Sequence, residues 1–122
     1  MNYLKSCFLI ITIIISFSFN GFASEILTGD WSGSKKSELS FLTLKVKNSE
    51  ITGKICERED HDCMEIKGVS FKEGLLSFHY SFNEGKKKFV IQVSLNLSND
   101  ENNLKGYATL GDMKFNLSFL RR

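Results

Sequence analysis

The chain has 122 residues, with 16 basic and 14 acidic side chains, a formal charge of +2, three cysteines and no proline. So slight a positive excess excludes the basic footprint that nucleic-acid binding needs. The length accommodates one ordinary domain and no more.

Lys5 gives a positive start, and Cys7 to Phe19 is apolar apart from Thr12, Ser16 and Ser18. Gly21 and Ala23 follow as a small-x-small pair just before Ser24 and Glu25. Charge, apolar run and small-residue site in that order read as a secretory signal peptide. The run is shorter than the ~20 apolar residues of a spanning helix, so removal is expected rather than anchoring. Cleavage after Ala23 divides the chain into a signal peptide, 1–23, and a domain of 99 residues, 24–122. Lys5 leaves with the signal, so 15 basic residues face 14 acidic ones and the net charge becomes +1. The expected location is periplasmic or secreted.

From Trp31 onward the apolar residues alternate, which places them on one face of extended strands. After the segment around Trp31 come Leu42, Leu44 and Val46, then Ile51, Gly53 and Ile55. A shorter row follows at Ile66 with Val69 or Phe71, then Leu76, Phe78, Tyr80 and Phe82. The longest row is Phe89, Ile91, Val93, Leu95 and Leu97. Leu104, Gly106, Ala108 and Leu110 precede the last, Met113, Phe115, Leu117 and Phe119. Lys47–Glu50, Lys72–Gly74, Asn83–Gly85, Ser98–Asn103 and Gly111–Asp112 separate these rows with short polar segments typical of hairpins. The fold class is therefore all-β. About eight strands in an up-and-down meander are expected, closing into a single antiparallel barrel, with a β-sandwich as the alternative.

Gly29-Asp30-Trp31-Ser32-Gly33 resembles the Gly-x-Trp start of lipocalins and avidin-like proteins. Ile51-Thr52-Gly53-Lys54-Ile55, about twenty residues later, is similar to the second strand of an avidin-like barrel. The resemblance implies structural roles for Gly29, Trp31 and Arg121. In such barrels the Trp plugs the closed end and a basic residue near the C-terminus stacks on it, the position Arg121 would take by a cation–π contact. The ligand side of the resemblance does not carry over. Avidins line their site with several tryptophans, whereas this chain has one.

Signal removal also takes Cys7, leaving Cys56 and Cys63. In an exported chain such a pair reads as one disulfide. Closing so short a loop stabilises a fold by about 2.5 kcal/mol in the chain-entropy account. The competing reading is a zinc site on Cys56, His61 and Cys63, but the spacing is wider than usual and no second cysteine pair exists. The intervening Glu57, Arg58, Glu59, Asp60, His61 and Asp62 form the most polar stretch of the chain. They read either as a solvated tip or as a partner-binding loop displayed on a rigid scaffold. Lys86, Lys87 and Lys88 form a basic patch at another hairpin, and strand parity brings it out on the same side.

No nucleophile–base pair or acid–base pair of carboxylates stands out, and no metal or other cofactor is expected. The reading is a non-enzymatic exported binding protein that contacts a protein partner, in the manner of an inhibitor, through loops at one barrel end. A small apolar ligand in a lipocalin-like mouth and a small envelope enzyme are the alternatives. Phe78, Phe82, Phe89, Phe115 and Phe119 all fall on inward rows and are expected to fill the interior.

Overall fold

The structure, a computed structural model, describes residues 25–33, 41–59 and 61–122. The expected signal peptide and cleavage site, like Asp60, lie outside these residues. A turn over residues 25–28 leads into nine strands: β1 (Gly29–Gly33), β2 (Phe41–Lys47), β3 (Glu50–Arg58), β4 (His61–Glu65), β5 (Lys67–Lys72), β6 (Leu75–Glu84), β7 (Lys87–Leu97), β8 (Asn103–Leu110) and β9 (Met113–Arg121). Period-two alternation produces them. The strands bury much of their apolar rows and leave most of the intervening polar residues outside, although the rows of β6, β7 and β9 are only partly covered near the β6–β7 and β8–β9 turns.

The strands form one antiparallel sheet in the order β4-β3-β2-β1-β9-β8-β7-β6-β5. Neighbours in sequence pair throughout, except that β1 and β9 pair across the molecule through Trp31↔Arg121, Ser32↔Leu120 and Gly33↔Phe119. The hairpins are tight where the backbone allows it. Asn48 and Ser49 (φ 52° and 65°) turn β2 into β3, and Glu73 and Gly74 (φ 53° and 80°) turn β5 into β6. Two consecutive left-handed residues match the twist of the flanking strands.

The described residues form nine strands, where about eight were expected, and the ladder is not a closed ring, so the expected barrel closure is not shown. The ladder's two ends, β4 and β5, are consecutive in the chain with only Ile66 between them. Residues 61–65 pair with β3 and residues 67–72 with β6, so one run of chain changes partner midway. The register of β5 slips between Lys67 and Ser70, where Gly68 adopts φ 61° beneath the His79 ring. The slip follows directly on the change of partner at Ile66.

The core is a single cluster that includes Leu27, Trp31, Leu42, Leu44, Ile55, Ile66, Leu76, Phe78, Tyr80, Val93, Leu95, Leu104, Leu117 and Phe119. Gly53 and Gly106 interrupt two of its inward rows for a steric reason. A Cβ on Gly53 would overlap the Thr43 carbonyl oxygen, and one on Gly106 the Ser94 carbonyl oxygen. Neighbouring backbones cross there at a separation only glycine permits. Not all of the five phenylalanines are interior. Phe78 and Phe119 are buried, Phe82 and Phe89 are half-buried, and Phe115 is exposed because its row runs past the end of the core.

Candidate functional site

Antiparallel order places the β3–β4, β6–β7 and β8–β9 connections at one end of the sheet. The β2–β3, β5–β6 and β7–β8 connections lie at the other, with the segment before β1.

That second end is held by Trp31. Its indole is fully buried, and Nε1–H donates to the Leu27 carbonyl at 3.1 Å, anchoring the turn that precedes β1. The Arg121 guanidinium lies over the ring at 4.2 Å from its centroid. The same guanidinium donates to the carbonyls of Ile26, Thr28 (3.1 Å) and Glu101 (3.0 and 3.1 Å). One side chain thus joins the N-terminal turn, the β7–β8 loop and the only tryptophan. Gly29, with φ 137°, brings the backbone to that guanidinium, where a Cβ would stand 3.5 Å from Nη1. The Glu101 carbonyl is presented by a loop with its own internal bonds. The Asp100 carboxylate accepts from the Ser98 hydroxyl (2.5 Å) and the Asn102 amide (3.1 Å), while the Ser98 hydroxyl oxygen accepts from the Asn103 amide (3.0 Å). The Ser98 hydroxyl first, then the Asn102 amide, hold the Asp100 pKa below the ordinary 3.8. Nothing in the sequence marks the Glu101 carbonyl for this role, because a backbone acceptor leaves no residue-type signal.

Toward the other end stand the remaining residues singled out from sequence, with the β3–β4 hairpin reaching back to Arg122. Cys56 and Cys63 face each other in register on β3 and β4 with their sulfurs 2.10 Å apart, at disulfide distance. Paired in this way they are not thiolate ligands. Among the described residues no group of three or more His, Cys, Asp or Glu side chains is placed to hold a metal ion. Among its described residues, most of the polar stretch is strand, with Glu59 in the turn. Glu57 and Arg58 complete β3, His61 and Asp62 open β4, and Arg58 pairs with His61 across the hairpin. It is not a purely solvated tip. Arg58 meets Asp62 at 3.4 Å, and Glu59 meets Arg122 at 2.6 Å, with the Arg122 guanidinium 5.2 Å from the Phe41 ring centroid.

Lys86 lies in the β6–β7 turn, and Lys87 and Lys88 begin β7 opposite Glu84 and Asn83; all three lysines are exposed. Beside them the inward rows of β6–β9 run out of core. Phe82 and Phe89 stack at 5.3 Å between centroids, Met113 is 64% exposed and Phe115 36% exposed. Lys114 sits over the outward Tyr107 ring at 4.1 Å. The result is an apolar rim edged by four lysines. Period-two parity put these side chains on the inward face but gave no sign that the core stops short of them.

A third feature had no counterpart in the sequence reading. Where residues 61–72 change partner, β3 and β5 diverge and leave a cleft of about 580 Å³, lined by residues 48–52, 65–69 and Phe71.

No family model, curated protein or solved structure matches the chain.

Proposed function

We propose that this is an exported, non-enzymatic binding protein that contacts a protein partner through the end carrying the β3–β4, β6–β7 and β8–β9 hairpins. The observation that carries the reading is the exposure of Met113 and Phe115 on the inward row of β9, at the same end of the sheet as the stacked Phe82–Phe89 pair. Large apolar side chains grouped on a surface and rimmed by charge are the composition of a contact patch. Lys86, Lys87, Lys88 and Lys114 supply that rim and favour an acidic partner surface, which they would attract over distance. The disulfide-distance pair on β3–β4 supports an oxidising destination, in keeping with the apolar N-terminal stretch. Among the described residues no helix is long and apolar enough to cross a membrane.

The sheet is best understood as a barrel in which residues 61–72 act as one bent staple between its two ends. The Ile66 amide donating to the Gly53 carbonyl at 3.1 Å supports this, as does one core shared by strands from both halves. Such a scaffold holds the three hairpins in fixed relation, which lowers the ordering cost of binding.

The test is capture from the native extracytoplasmic fraction by the wild-type protein and by a Met113→Glu/Phe115→Glu double variant. A protein retained by the wild type should fall at least tenfold in recovery with the variant. Equal recovery from both, with the variant folded, would move the interface elsewhere.

A further inference from the structure

The cleft between β3 and β5 is walled by main chain. Among the described residues, 50–53 of β3 have no ladder partner on the side away from β2, and β5 has none on the side away from β6. The bond at the apex, from the Ile66 amide to the Gly53 carbonyl, fixes the orientation of β3. Gly53 turns its carbonyl into the gap, so by strand alternation the N–H and C=O of Ile51 point there as well. Free strand edges are templates for a further strand. Ile51, Val69 and Phe71 are the apolar part of the lining, half-buried and packed on the core, while polar atoms make up most of what the cleft exposes. Glu50 and Glu65 against Lys67 leave the lining with one net negative charge.

We propose that this cleft is a strand-acceptor site that takes an extended peptide segment of a protein partner. The main chain of the segment pairs with the free edge of β5 and with Ile51. Its alternate apolar side chains rest on Ile51, Val69 and Phe71, and a lysine or arginine at an intervening position meets Glu50 and Glu65. An extended peptide is the fitting occupant because the walls lack a ladder partner, and only another backbone in β conformation supplies one along its length. The six residues of β5 span about 20 Å, which sets the inserted segment at about six residues. The site is separate from the hairpin end and stands or falls without it.

The experiment pans a random dodecamer phage library on the exported protein, then titrates synthetic versions of the recovered peptides into ¹⁵N-labelled protein. Recovered peptides should alternate apolar and polar residues, include a basic one, and slow exchange of the Ile51 amide at least tenfold. Ile51→Pro removes the gap-facing N–H while sparing the β2 ladder, a substitution edge strands accept, and should raise Kd at least tenfold. Should Ile51→Pro fail to fold, Val69→Lys places a charge on the apolar part of the lining and should weaken binding by as much. The Met113→Glu/Phe115→Glu variant should bind these peptides like the wild type, which separates this site from the hairpin end. The proposal is overturned if no peptide is recovered or if the footprint lies elsewhere. It is also overturned if the Ile51 amide is already protected in the free protein. Protection that deepens with protein concentration would make a second copy the occupant and overturn it equally.

Discussion

At the scale of single residues, Arg121 does the most varied work. It stacks on Trp31 and donates to three carbonyls drawn from two segments that no strand ladder joins. Lysine keeps the charge but lacks the planar fork, so it cannot serve those acceptors at once. Arg121→Lys should therefore cost about 2–3 kcal/mol, read as a lower urea midpoint with an unchanged slope. Trp31→Phe removes the bond to the Leu27 carbonyl as well as ring volume and should cost about as much, whereas Trp31→Ala should cost about 3–5 kcal/mol. Wild-type fluorescence should be blue-shifted and resist aqueous quenchers, since the indole is fully buried. Asp100 acts one step further out, by shaping the loop that offers the Glu101 carbonyl. Its pKa is depressed in the folded protein, so its contribution is complete above the ordinary 3.8 and disappears as pH falls through its own lower value. Amide exchange at Asn102 and Asn103 should accelerate across that acidic window, and Asp100→Asn should abolish the pH dependence there.

Among the elements, the β3–β4 hairpin differs most from its sequence reading. Glu57 through Asp62 are all polar, so no alternation marked them as strand, and the short hairpin is instead defined by Cys56 facing Cys63. Reduction, or replacement of both cysteines by serine, should lower stability by about 2–3 kcal/mol without unfolding the sheet, because the apolar rows remain. The Glu59–Arg122 pair is largely solvated and is worth ~1 kcal/mol or less. Its effect is to tie the hairpin across Phe41. The glycine rows give a sharper test of strand crossing. Gly53→Ala and Gly106→Ala each force a methyl against a neighbouring carbonyl and should cost about 1–3 kcal/mol or more in thermal or urea unfolding. Apolar periodicity made most strands legible, and Asn- and Gly-rich breaks located their turns. It could not reveal that residues 61–72 serve two neighbours, because a change of partner depends on which edge comes near. For the same reason the cleft left no trace in side-chain pattern. It is made of unpaired backbone.

For the molecule as a whole, the proposed export predicts a product that begins at Ser24, which N-terminal sequencing will check; an intact Met1 on secreted material would refute it. Its circular dichroism should be that of a β-sheet without helical minima, as the described residues are almost all strand or turn. The division of surface is clear in physical terms. One end is drawn together by Trp31, Arg121 and the Asp100 loop, while the other presents an apolar rim, lysines and an ion-paired hairpin. Stability substitutions at the first end and binding substitutions at the second should therefore separate in a single panel of variants. Trp31 and Arg121 were assigned from resemblance at the sequence level, whereas the rim had to await the extent of the core.

The β1–β9 ladder also sets a schedule. Every other ladder joins strands adjacent in sequence, so the chain is two runs of local hairpins, β1 to β4 and β5 to β9, that zip without long loop closure. The remaining junction pairs residues about 90 positions apart, through three residue pairs among the described residues. Contacts so distant in sequence carry the largest entropic cost before any return, which makes them the natural late event in folding. Trp31 sits in that junction and is the only tryptophan, so its fluorescence is a built-in clock for the final step. In stopped-flow refolding the far-ultraviolet signal should develop before the Trp31 blue shift. Arg121→Lys should speed unfolding while leaving the earlier phase unchanged, the kinetic mark of a contact made after the transition state.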